Sequence, residues 1–117
     1  MHTVESACWE QKEYKAALKA FKKAVKAGTK ENATLYNLMG GCALKLDDGK
    51  SALSYYEKGL AASGSSDELK KEMEYNVIVS YEKMQNWEKA KSKLNEYLEK
   101  YPDDETAKKE VEFLETR

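Results

Sequence analysis

Apolar and polar positions alternate along this chain at intervals of three, four, seven and eight residues, the spacing of helices that bury one side. Three alanines fix the register: Ala17, Ala52 and Ala90. Four residues after each stands a large apolar residue, Phe21, Tyr56 or Leu94; seven after stand Ala24, Gly59 and Tyr97; eight after stand Val25, Leu60 and Leu98. The same register returns upstream. Thirteen residues before each alanine is Val4, Met39 or Val77, and nine before is Cys8, Ala43 or Tyr81. Each unit is therefore predicted to hold two helices joined by a short turn, at Gln11-Lys12-Glu13, Asp47-Asp48-Gly49 and Gln85-Asn86. Asn86, and either Asp47 or Asp48, suit the N-cap of the second helix.

The alanines lie 35 and 38 residues apart, and the extra residues fall between units, in Gly28-Thr29-Lys30-Glu31-Asn32 and Ser63-Gly64-Ser65-Ser66-Asp67. Gly28 suits a left-handed helix stop. Ser65, with Glu68 three residues on, reads as a capping box. Pro102 ends the third unit because its ring cannot continue a helix. A last helix is predicted from about Glu105 to Thr116, with Val111 and either Leu114 or Phe113 turned inward. The chain thus reads as one domain over 1–117: a first unit at about 1–31, incomplete at its N-terminal side, a second at about 33–63, a third at about 67–102, and a capping helix at about 104–116. Such a helix hairpin cannot bury its apolar side alone, so neighbours must stack. The incomplete first unit, with Val4, Ala7 and Val25 on its open side, leads to an expectation of further repeats upstream, or of self-association through this end.

The third unit carries a recognisable signature. It reads Tyr75-Asn76-Val77-Ile78-Val79-Ser80-Tyr81, then Trp87-Glu88-Lys89-Ala90, then Tyr97 and Pro102. The second unit matches it with Tyr36, Met39-Gly40, Ala43, Ala52, Tyr56 and Gly59, and the first with Tyr14 to Leu18, Phe21 and Ala24. These units resemble the tetratricopeptide repeat. That resemblance implies an all-α fold, a right-handed superhelical stack of antiparallel helix hairpins with about seven helices. It implies no enzyme but a protein-protein interaction module, in which the first helix of each unit lines a concave groove that holds a peptide or helix of a partner. The alternative is a structural scaffold or self-associating segment of a longer repeat protein. Carried over by register, the groove positions are His2, Ser6, Trp9 and Glu10, then Thr34, Asn37, Gly41, Leu44 and Lys45, then Glu72, Tyr75, Val79, Glu82 and Lys83, and finally Lys109 and Phe113. Among them Trp9, Asn37, Leu44, Lys45, Tyr75, Val79, Lys83 and Phe113 form the candidate ligand-binding set. The family's clamp for acidic chaperone tails is not reproduced: its positions hold His2, Ser6, Leu38, Glu72 and Asn76, of which only Asn76 fits. The lysine-rich, glycine-poor style resembles bacterial repeats, which occur in surface lipoproteins as well as in cytoplasmic scaffolds.

Composition narrows the chemistry further. The net charge is −1, with 20 basic and 21 acidic residues, so no basic surface of the kind that binds nucleic acid is expected. No apolar run approaches the ~20 residues that span a bilayer, so no membrane insertion is expected of this chain. Cys8 and Cys42, with His2 as the one histidine, cannot supply a four-ligand zinc site. Gly40-Gly41 falls inside a helical pattern and does not form a phosphate loop. Asp47-Asp48-Gly49 lacks the other ligands of a calcium loop. No catalytic residue, metal site or cofactor is predicted. Residues 12–30 hold seven lysines and one acid, and residues 99–117 seven acids and four bases; both read as solvated helix faces.

Overall fold

The structure is a computed structural model. It describes residues 2–28, 32–62 and 64–117, with side chains from Gln11 onward. Among the described residues there are six helices and no strand: α1 (His2–Lys26), α2 (Ala33–Lys45), α3 (Gly49–Ala61), α4 (Asp67–Lys83), α5 (Trp87–Lys100) and α6 (Glu105–Glu115).

The turns after α2 and α4 are built alike. Asp47 and Gln85 adopt left-handed backbone, with φ of 59° and 58°. The next residue then caps the following helix. Asp48 accepts the Ser51 N–H at 3.1 Å and Asn86 the Lys89 N–H at 3.2 Å. The cap residues' own N–H groups donate back, to the carbonyls of Ala43 and Tyr81, both at 2.9 Å. Left-handed backbone costs a non-glycine residue about 1–2 kcal/mol, and the cap and the packing of the hairpin offset it.

At the equivalent positions of the first unit stand Lys12 and Glu13. Neither is a good N-cap, and both are good helix formers. The helix runs straight through, so α1 is one element of 25 residues. The turn expected at Gln11-Lys12-Glu13 is absent, and six helices stand where about seven were expected. A smaller correction concerns α4. Its cap is Ser66, whose hydroxyl accepts the Leu69 N–H at 3.1 Å, and not Ser65.

The alanine register organises the core. Ala52 and Ala90 are fully buried, as is Ala107 on α6. One cluster joins Ala33, Ala43, Ala52 and Tyr56 to Met73 and Val77 of α4. A second joins Ile78 of α4 to Ala90, Leu94, Tyr97, Ala107 and Leu114. Helix α4 thus serves both clusters and ties the hairpins together. Each helix packs on its chain neighbours, and α2 also packs on α4. Helices α2 and α4 therefore form an inner layer, backed by α3 and α5. On the capping helix Leu114 is buried and Phe113 exposed, which settles their inward order.

Asp104 fixes where α6 begins. It accepts the Ala107 N–H at 3.1 Å and the Tyr97 hydroxyl at 2.6 Å, with Lys71 Nζ at 3.8 Å. The Tyr97 hydrogen bond is the main reason its carboxyl titrates below the usual range. Asp104→Ala is expected to lower stability by about 1 kcal/mol in urea unfolding, whereas Ala at the exposed neighbour Asp103 should change it by less than about 0.5 kcal/mol. Equal effects at the two positions would contradict this role for Asp104.

Candidate functional site

Two clefts open along the inner layer, each of about 310 Å³. The first lies where α1, α2 and α4 meet, between Tyr14, Asn37, Leu38, Gly41, Cys42, Lys45, Tyr56, Glu72 and Asn76. The second lies beside α4 and α5, between Glu68, Lys71, Glu72, Tyr75, Asn76 and Tyr97. They meet at Glu72 and Asn76, one turn apart on α4.

The first cleft is close to neutral inside. Burial, then the nearby charge of Glu72, pushes the Tyr56 phenol up to about 12. Burial also raises the Cys42 thiol. Both therefore stay protonated at neutral pH. Asn37 Oδ1 is buried and meets no donor among the described residues, a state that costs about 1–3 kcal/mol unless something supplies an N–H or O–H. Leu38 stands 48% exposed at the rim.

The second cleft is aromatic. Tyr75 packs edge-on against Tyr97, centroids 5.5 Å apart, and Tyr97 lies 4.8 Å from Tyr101. Burial, followed by the charges of Glu110, Glu82 and Asp104, raises Tyr75 to about 12. Farther along α4, Glu82 faces Glu110 of α6. Burial and then this neighbour raise the Glu82 carboxyl to about 8. Its Oε2 is closed to solvent and has no donor among the described residues. Two carboxylates can only accept, so a bond between them requires that one keep a proton.

The structure brings some of the candidate residues together and parts others. Asn37 and Lys45 line the first cleft and Tyr75 the second. Leu44 packs instead against the core cluster of α2–α4. Lys83 is tied to Asp47 at 2.8 Å, bracing the α2–α3 turn against α4. Val79 is half-buried on α4 and borders neither cleft. Phe113 is drawn to the far end, 6.3 Å from Trp87, with the Arg117 guanidinium 4.2 Å from its ring. The Trp9 side chain lies outside the described residues. Tyr14 and Tyr56 enter the first cleft unforeseen. By register both belong to second helices, whose residues the apolar pattern assigns to the core alone. Among the described residues no group of three or more His, Cys, Asp or Glu is placed to hold a metal, and no helix is long and apolar enough to cross a membrane.

Antiparallel helix pairs stacked in register, with their first helices in one layer, define a helical-repeat protein. The sequence model of the tetratricopeptide repeat family matches residues 74–104, from within α4 through α5 to the cap of α6, and in that segment the chain is similar to a tetratricopeptide repeat. Proteins of that family suggest a role in protein-protein interaction or scaffolding. No curated protein matches the chain.

Proposed function

We propose that this chain is a protein-protein interaction module that holds a peptide or helix of a partner protein along the inner layer of α2 and α4. The observation that carries this reading is the pair of adjoining clefts, with an exposed leucine at the rim and the unsatisfied Asn37 oxygen in the wall. An extended peptide supplies both complements, backbone N–H groups and apolar side chains at alternate positions. The reading assigns no reaction to the chain.

Selection of displayed random dodecapeptides tests it. Peptides are expected to be recovered whose affinity falls at least tenfold when Leu38→Asp and Lys45→Glu are combined. Both residues are exposed or rim positions, so the variant should melt with the parent. Ala at Glu57 and Lys58, exposed on the outer helix α3, should leave affinity unchanged. Peptides insensitive to the rim variant would move the binding surface elsewhere.

The second reading is a stacking segment that serves further repeats. It is favoured by α1, whose helix packing among the described residues is against α2. Its Ala17, Phe21 and Ala24 are only half-buried, where Ala52, Tyr56 and Gly59 are buried. A segment built only for stacking would yield no peptide sensitive to the rim.

A further inference from the structure

We infer that the partner segment carries a glutamine or asparagine whose side-chain amide seats in the first cleft, its carbonyl accepting the Tyr56 hydroxyl and its N–H groups turned to Asn37. This rests on the groove reading above and adds the chemistry of what the cleft holds.

Tyr56 belongs to α3, behind the inner layer. Its ring passes under Gly40, and its hydroxyl comes up beside Gly41 at the cleft. The residue is 1% exposed, yet the hydroxyl forms no hydrogen bond among the described residues. Packing does not explain it. Four residues after Ala17 the same place holds Phe21, the ring without the hydroxyl. Nor does packing demand a glycine at 41. A Cβ added there would meet only that hydroxyl, at 3.9 Å, an ordinary contact. What the missing side chain does is leave the hydroxyl open to the cleft.

The charged residues that line this cleft are Lys45 and Glu72, one of each sign and both exposed. The groups deeper in are neutral: Tyr56, which burial keeps protonated, and the half-buried amides of Asn37 and Asn76. A carboxylate on the Tyr56 hydroxyl would enter the field of Glu72, which already acts on that phenol. An ammonium would lose its water and find no carboxylate at the floor. A primary amide carries an acceptor and two donors without charge. Its carbonyl takes the Tyr56 O–H. Its N–H meets Asn37 Oδ1, which is buried without a donor; the terminal torsion of asparagine is broad, so a turn of the amide presents that oxygen to the cleft. The hydroxyl rises from the helix behind α2. A side chain therefore reaches it where a partner's main chain, held on the rim at Leu38, does not.

The dodecapeptide selection supplies the test, with the parent, Tyr56→Phe and Gly41→Leu measured in parallel. Peptides that depend on Leu38 should carry Gln or Asn at one common position. Replacing that peptide residue by Leu, or Tyr56 by Phe, should each weaken binding about tenfold, the worth of one buried hydrogen bond. The two losses should not add, because each removes one end of the same bond. Tyr56→Phe should melt no lower than the parent, since its hydroxyl has no partner to lose. Gly41→Leu, a better helix former that covers the hydroxyl, should fold and lose the same peptides. Rim-dependent peptides with no amide preference, losses that simply add, or a Tyr56→Phe melt well below the parent's would overturn this inference and leave the groove reading standing. Failure to recover any rim-dependent peptide would overturn both.

Discussion

Gly40→Ile is expected to destabilise the chain by about 3 kcal/mol, Tyr56→Leu by about 2 kcal/mol, and the two together by about 1–2 kcal/mol, far less than their sum. Gly40 stands twelve residues before Ala52 and Tyr56 four after it; Ile78 and Leu94 hold those places around Ala90. A Cβ on Gly40 would lie 2.6 Å from Tyr56 Cζ and 2.7 Å from Cε1. The ring cannot swing aside, because Tyr56 is only 1% exposed. In the next unit Ile78 and Leu94 are both buried in one cluster. The two hairpins thus fill one helix crossing in two ways, small against aromatic and branched against branched. Gly40→Ile alone overfills the crossing, Tyr56→Leu alone leaves a void, and the pair recreates the solution of the following hairpin. Urea unfolding of the four proteins gives the coupling directly. Costs that simply add to about 5 kcal/mol would show that the positions do not oppose each other. Tyr56 also forms part of the first cleft, so the double variant should keep its fold while losing peptide affinity.

The same register explains how much was legible beforehand. The spacing of Ala52 and Ala90 from their large neighbours located α2 to α5, because a crossing that buries an alanine completely accepts few other residues. Turn chemistry located their junctions, since Asp48 and Asn86 cap where a cap is needed. The first unit repeats the apolar spacing but not the turn chemistry. It also differs at the position twelve before its alanine, where Glu5 stands in place of Gly40 and Ile78. Folding back would carry a carboxylate into a core register, while Lys12 and Glu13 cost a continuous helix nothing. The capping requirement and the charge outweighed the periodicity. For the candidate site, register placed Asn37, Lys45 and Tyr75 beside the clefts but could not foresee competing partners. Lys83 found Asp47, from a turn 36 residues away, and Phe113 found Trp87 and Arg117. Those pairings depend on how neighbouring hairpins sit on one another, which spacing within a hairpin does not encode.

Stability is expected to fall by about 1–2 kcal/mol between pH 5 and pH 8.5, and Glu82→Gln should abolish most of that slope. The Glu82 carboxyl rises from 4.5 to about 8 in the folded chain, through burial first and its bond with Glu110 second. In this window the folded state holds a proton that the unfolded chain has released, so the extra stability is full below about pH 4.5 and is lost as pH climbs to about 8. The whole shift would correspond to more than this, but Glu82 is partly open to solvent and screening reduces it. The groups that sense Glu82 are Glu110 on α6 and Tyr75 on its own helix, with Asp104 acting on Tyr75 as well. None of the other shifted groups near the pair interferes in the window. Asp48 and Asp104 are lowered, so their contribution is present above the usual carboxylate range and is lost only in acid. Tyr56 and Tyr75, near 12, act only as pH passes about 10. Gln at position 82 keeps a donor for Glu110 at every pH, so at pH 8.5 the variant should exceed the parent by about 1 kcal/mol, while at pH 5 the two should agree. Urea midpoints at half-unit pH intervals measure this. A parent whose midpoint stays level from pH 5 to 8.5 would mean that the two carboxyls do not share a proton.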